Sequence, residues 1–185
     1  DPHPKNLNKS AAEIILCTLH AGGKFSNQNY ETSGGLHGVG ISVVNALSQK
    51  LTLEVIRENQ VYSQSYEKGK PINKLSKKNK TNKKSGTSIS FKPDKDIFGE
   101  NSYFKAKVIY EIAKSKAYLF SGVKINWETN SNIDEGIPRK ETFFFPNGIT
   151  DYLNDNTAKN EKLHSDPFEG KVIFKDRFKK NIPGK

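Results

Sequence analysis

The sequence predicts an α+β fold, a two-layer sandwich with helices on one face of a mixed or antiparallel sheet. Three observations predict it. Helix-periodic runs occur at residues 10–19, 41–47 and 103–120. Alternating runs occur at residues 51–56, 60–66, 86–91, 123–127 and 139–145, and between the first two Arg57 ends the strand and Glu58-Asn59 form a two-residue turn. The order is helices, hairpin strands, a long helix and two further strands, which layers helices on hairpins rather than building a βαβ crossover.

Each element has a local reason. Pro2 and Pro4 hold the first residues extended, because a proline pushes its predecessor out of the helical region. Ser10 and Glu13 form a capping box, with the Ser10 hydroxyl capping and Glu13 reaching back. The helix that follows directs Ile15, Leu16 and Leu19 to a core and stops at Gly22-Gly23. Residues 23–33 are polar and turn-rich, a long loop carrying Lys24, Phe25 and Tyr30. After the second helix Leu51, Leu53 and Val55 alternate with Thr52, Glu54 and Ile56. Arg57 ends that strand, Glu58-Asn59 turns, and residues 60–66 return as its partner. Residues 86–91 form a third strand closed by Pro93-Asp94. In the long helix Phe104, Val108, Ile112 and Lys116 share one row, with Ile109, Ala113, Ala117 and Phe120 beside it. Val123, Ile125 and Trp127 alternate, residues 139–145 return, Asn147-Gly148 turns, and a short helix covers residues 149–153. From Asn154 to Pro167 the text is polar and aperiodic, a linker, and residues 171–174 open a further strand.

The densest feature is the stretch Ser33-Gly34-Gly35-Leu36-His37-Gly38-Val39-Gly40-Ile41-Ser42, with four glycines in seven residues ahead of an apolar helix. A glycine loop feeding a helix N-terminus offers amide donors and the positive end of a dipole, which suits phosphate. Its spacing is G-x-x-G-x-G. A Walker A loop needs Gly-Lys-Ser/Thr, and Ile41-Ser42 follows here. A dinucleotide fingerprint follows a strand, and the preceding residues are polar. Spacing alone leaves phosphate binding and a plain glycine-rich turn both open.

Composition narrows the classes. The chain has 185 residues, 34% of them hydrophobic, with eleven Phe, seven Tyr and one Trp, enough for a core. It has no Met and begins at Asp1, so a piece of a longer protein is expected. The one cysteine, Cys17, makes neither an internal disulfide nor a zinc site, in keeping with a reducing, cytoplasmic setting. His3, His20, His37 and His164 show no metal-ligand spacing. No run approaches the ~18 apolar residues of a membrane span. The net charge of +10 is concentrated: residues 68–84 hold eight lysines and no acid. Such a run reads as a solvated, mobile connection, and alternatively, with Tyr62 and Tyr66 nearby, as a basic nucleic-acid-binding module.

Taken together, Leu19-His20-Ala21-Gly22-Gly23-Lys24-Phe25, Tyr30 and the block from Ser33 through Ser48 resemble the ATPase region of bacterial type II topoisomerase B subunits. The variant Phe25-Ser26-Asn27-Gln28-Asn29-Tyr30 with Gly40-Ile41-Ser42 is more similar to the topoisomerase IV branch than to the gyrase branch. Asp1-Pro2-His3-Pro4 resembles the end of the segment after the family's adenine-binding motif, and Gly86-Thr87 its later glycine-threonine motif. The resemblance implies the GHKL (Bergerat-type) ATPase sandwich, truncated at its N-terminus. Residues 1–153 would be a partial ATPase domain with its ATP lid at 22–42, residues 154–169 a linker, and residues 170–185 the incomplete start of the ribosomal S5-like transducer domain.

By matching motif, Gly35, Leu36, His37, Gly38, Val39, Gly40 and Ile41 would wrap the ATP phosphates with backbone amides. Lys24 would add a cation there, Tyr30 would hydrogen-bond near the adenine or ribose, Thr87 would reach the adenine side, and Arg57 would line the pocket mouth. The general base, the Mg²⁺-holding Asn and the adenine-reading Asp would precede Asp1, so no catalytic or metal-binding residue is assigned and weak or absent ATPase activity is expected of the piece alone. Glu13 and Glu31 do not match the family's base. The implied whole is a cytoplasmic, nucleoid-associated enzyme using ATP and Mg²⁺. Its partners are DNA, the topoisomerase IV A subunit in a heterotetramer, and a second B subunit that dimerises on ATP binding. The gyrase B subunit remains the alternative within the family.

Overall fold

The computed structural model describes residues 2–3, 6–21, 37–130, 136–161, 164, 167–168, 170, 172–175 and 181–184. The chain divides into two compact units, Asp1–Tyr103 and Phe104–Lys185.

The first unit opens with an antiparallel ribbon, β1 (Pro2–His3) against β2 (Asn6–Ser10). Ser10 then caps helix α1 (Ala11–Cys17), its Oγ accepting the Glu13 amide at 3.1 Å. Only this half of the expected capping box forms. The Glu13 carboxylate turns instead to Gln64 Nε2, 3.1 Å away, and to Lys9 Nζ at 3.7 Å. Gln64 is fully buried, and a buried amide needs an acceptor more than the exposed end of a helix does. The helix also ends sooner than its glycines suggest, with Thr18 as C-cap. Of the three residues expected in the core, only Leu16 is buried, while Ile15 and Leu19 are exposed.

Helix α2 (Gly40–Ala46) lies beside α1, and Asn45 Nδ2 donates to Leu16 O at 3.0 Å, satisfying a carbonyl at the end of α1. Strands β3 (Ser48–Arg57) and β4 (Gln60–Glu67) form the expected hairpin. Its turn has positive φ at both Glu58 and Asn59, the geometry that matches strand twist in a two-residue loop. Strand β5 (Lys70–Pro71) continues from β4 through a second two-residue turn, Lys68-Gly69. Gly69 has φ +82°, and a Cβ there would sit 3.2 Å from Ala46 Cα, so both conformation and space demand glycine. Strand β7 (Gly86–Pro93) pairs with the other side of β3, Leu51 opposite Phe91 and Leu53 opposite Ile89. Asp94 then caps the short helix α3 (Lys95–Phe98). Lys68 Nζ reaches Asp96 at 2.6 Å and Asp94 at 3.3 Å, tying that turn to the β4–β5 corner.

The lysine-rich segment corrects the expectation of a mobile connection. Residues Ser76–Lys80 form strand β6 alongside β4, so the antiparallel sheet has the order β5-β4-β3-β7 with β6 beside β4. The core under the helices is Leu16, Leu51, Leu53 and Tyr66, with Ala12, Cys17, Ile41, Val44 and Val55 packed against it. Tyr66 is also a correction. It is fully buried, donates to Gln64 Oε1 at 2.8 Å and is out of reach of a ligand. Burial, then the nearby Cys17 and Glu13, push its phenol pKa up.

The second unit is built on α4 (Ala106–Leu119), with an antiparallel hairpin of β8 (Lys124–Glu128) and β9 (Lys140–Phe144). Helix α5 (Ile149–Thr157) follows, and β10 (Val172–Lys175) pairs with β11 (Asn181–Gly184). Within this unit the expected row Phe104, Val108 and Ile112, with Ile109 and Phe120, does not join the core against the hairpin, which is built on Tyr110, Ala117 and Phe143. Ala117, expected beside that row, is buried, and Ala106, Tyr110 and Tyr118 are buried with it. Tyr110 packs edge-on against Trp127 and Phe143, and its hydroxyl donates to Glu141 Oε2 at 2.5 Å. Tyr118 stacks on Phe145 and donates to Asp155. Alanines on this face let the hairpin approach, and the tyrosines keep their polar ends paired.

Candidate functional site

The glycine stretch is described from His37 onward. Gly38 has φ +61°, a conformation that side chains rarely adopt. Val39 is the N-cap of α2 and offers no side-chain cap. The first helical bond runs from Val43 N to Val39 O at 2.9 Å, so the amides of Gly40, Ile41 and Ser42 precede it and face the helix entrance. No acidic residue lies in the first turn, and the Ser42 hydroxyl is folded back onto Val39 O at 3.0 Å. The entrance is therefore made of backbone and carries the positive end of the short helix, with no carboxylate in its own first turn to offset it.

Gly40 is informative for a different reason from Gly38. It starts a helix, and glycine is a poorer helix former than alanine. A Cβ at Gly40 would meet nothing within 4 Å among the described residues. The packing of the described residues thus gives no cause for glycine there, and among them the missing side chain leaves room over the amides.

Thr87 and Arg57 lie at one end of the sheet. Thr87 pairs with Val55 and Gly86 with Ile56, while Arg57 closes the hairpin opposite Gln60. Thr87 is exposed, and Arg57 Nε lies 3.5 Å from Glu58. The opposite end of β3 follows α2 directly, where Ala46 abuts Gly69. Lys24, Tyr30, Gly35 and Leu36 lie outside the described residues, as does Glu31. Among the described residues no three His, Cys, Asp or Glu side chains gather as metal ligands. No described helix is long and apolar enough to cross a membrane.

One residue of this region carries no signal in the sequence. His20, with φ +60°, donates from Nδ1 to the His37 carbonyl at 2.8 Å, which brings together the two ends of segment 21–37. A carbonyl can only accept, so Nδ1 carries the proton. The spacing of seventeen residues holds no periodicity that could have revealed the pair.

No protein-family profile matches the chain. Individual relatives match closely. The chain is 50% identical over 172 residues to the B subunit of DNA topoisomerase 4 from Rickettsia typhi, covering 93% of this chain and 26% of that protein. It is 47% identical over 173 residues to the corresponding protein of Caulobacter vibrioides, with 93% and 25% covered. The B subunit of DNA gyrase from Helicobacter pylori is 42% identical over 165 residues, with 88% and 20% covered. The chain therefore spans about a quarter of the length of the topoisomerase relatives it matches. The structure superposes on the 43K ATPase domain of Thermus thermophilus gyrase B, solved with an aminocoumarin. The TM-score is 0.74 at 28% identity, over 95% of this chain and 42% of that one. These matches bear out the α+β sandwich of the GHKL type and the topoisomerase IV branch over the gyrase branch. Over its matched length the chain belongs to the B-subunit family of type II topoisomerases, as the ATPase region of a topoisomerase IV B subunit.

Proposed function

We propose that this chain supplies the phosphate grip of an ATP site, with residues 35–41 wrapping the polyphosphate through backbone amides. The observation that carries this is Gly40, a glycine that no contact among the described residues requires, at the mouth of a helix entrance without a side-chain cap. Phosphate oxygens accept hydrogen bonds from such amides, and a Cβ would stand in their way. Lys24 would bring a cation to the phosphates and Tyr30 a hydroxyl to the adenine or ribose. Thr87 would face the adenine side, and Arg57 the pocket mouth. Bound Mg²⁺ would neutralise phosphate charge. Among the described residues no three His, Cys, Asp or Glu side chains gather to hold it.

In the whole protein, ATP binding would close the lid and join two B subunits, and hydrolysis would reset them. With the topoisomerase IV A subunit, this cycle would gate the passage of one DNA duplex through another, in the bacterial cytoplasm. The domain organisation that goes with this is an ATPase domain that runs on to the end of α5 at Thr157, past the expected boundary at 153, then a linker to 169 and the start of a transducer domain from 170.

The test is a titration of the complete protein with a non-hydrolysable ATP analogue, comparing the parent with Gly40→Val. Binding should weaken by at least about tenfold, ~1.4 kcal/mol, with an unchanged thermal midpoint. Equal binding by the two proteins would show the loop assignment to be wrong. Gly38→Val is a poorer probe, because the left-handed backbone adds a strain of ~1–2 kcal/mol.

A further inference from the structure

The lysine-rich segment is an ordered surface rather than a tether. Two glutamines of β4 hold it from beneath. Gln60, 7% exposed, donates from Nε2 to Lys78 O at 2.7 Å and to Asn79 O at 3.2 Å. Gln64, fully buried, donates to Asn73 O at 3.0 Å, while Asn73 Oδ1 accepts the Ser65 amide at 2.8 Å. Further bonds run from Thr81 N to Asn59 O and from Ser76 Oγ to Ser63 O. Pinned in this way, Lys74, Lys77, Lys78, Lys80, Lys83 and Lys84 all stand exposed. None of the six meets a carboxylate among the described residues. Three carboxylates of this unit are engaged by other cations, Glu58 by Arg57 and Asp94 and Asp96 by Lys68.

We propose that β6 and its flanking lysines form a contact surface for the phosphate backbone of duplex DNA. One or two lysines suffice to keep an edge strand from pairing with another chain, and this edge carries a continuous field. Residues 76–84 contain only Lys, Ser, Asn and Thr, side chains that donate to phosphate oxygens. That run has no aromatic ring, Tyr66 is buried, and the one ring beside it, the half-buried Tyr62 across from Lys77, is no series of platforms on which the bases of a single strand could stack. It has no apolar side chain to enter a lipid surface either. Duplex backbone is the polyanion left, and the contact is independent of base sequence. The proposal rests on the topoisomerase reading only in taking duplex DNA as the available partner.

The experiment titrates the 185-residue chain, without nucleotide, into a labelled duplex of about 30 base pairs across a range of salt concentrations. The triple variant K77Q/K78Q/K80Q is expected to reduce the slope of log K against log salt by about 2.7, with at least about tenfold weaker binding at about 0.1 M salt. The charge-matched triple K105Q/K114Q/K159Q should keep the parent slope to within about 1. Equal losses from both triples would mean that net charge alone binds DNA, and would overturn the proposal. So would an unchanged slope in the first triple, or tighter binding to phosphatidylglycerol vesicles than to the duplex. Circular dichroism melting of each variant reports that the fold is kept. Because the titration needs no nucleotide, its failure leaves the phosphate-loop reading standing, and failure of the Gly40→Val test leaves the DNA titration meaningful.

Discussion

The cores of the two units make an instructive pair. In the first, burial follows strand alternation: Leu51, Leu53 and Val55 point to the helices, and Tyr66, the cross-strand partner of Leu51, joins them. In the second, the aliphatic row of α4 lies outside, and a tyrosine-alanine stripe lies inside. A strand has two faces, so one apolar set settles its orientation. A helix carrying two candidate rows has no such rule. Phe104, Val108 and Ile112 recur every four residues, while Ala106, Tyr110, Ala113 and Ala117 recur at four and three. The second stripe wins because small residues admit the hairpin closely, and because Tyr110 and Tyr118 find carboxylates for their hydroxyls.

Substitutions can break or sharpen this contrast. The largest effects should come from the two core anchors. Phe143→Ala is expected to cost ~3–5 kcal/mol and Leu51→Ala ~2–5 kcal/mol in urea unfolding, since each leaves a cavity in a fully buried site. A markedly cheaper Phe143→Ala would mean that the second core is loosely packed. Next comes Gln64→Leu, which strands Glu13, the Tyr66 hydroxyl and Asn73 O together. A loss of ~1–3 kcal/mol is expected by the same measurement.

Tyr110 gives a pH signature. Its hydrogen bond to Glu141, then burial, push the phenol from 10.0 up to about 12. The folded state thus favours the protonated phenol. Its stabilisation is complete below pH 10 and is lost as pH rises towards 12. Unfolding curves between those values should show a steeper loss in the parent than in Tyr110→Phe, and equal slopes would remove Tyr110 from the account. The smallest effect is expected at Ile112→Ser on the exposed row, within ~0.5 kcal/mol. A large loss there would restore the aliphatic row to a buried role.

Legibility followed the range of the interactions. The Glu58-Asn59 turn, the β3–β4 register and the Ser10 cap were readable because the residues that decide them are near neighbours. The glycine loop was readable as a phosphate grip only with its surrounding motifs, because G-x-x-G-x-G by itself is also a turn. The structure added the distinction between Gly38, which the backbone needs, and Gly40, which nothing among the described residues calls for. The His20–His37 bond and the partner of Glu13 could not be read, since residues 17 and 51 positions apart meet only after folding.

By itself the sequence determined the elements, the antiparallel pairing of the central strands, and the family to which the glycine block belongs. Tertiary structure alone decided which face of α4 is buried and whether the lysine run is a tether or a strand. Lysine and asparagine have little strand preference of their own. Residues 76–80 become β6 because β4 presents an open edge and two buried glutamines whose amides need the segment's carbonyls. That demand arises in the fold and leaves no mark in the run of lysines itself.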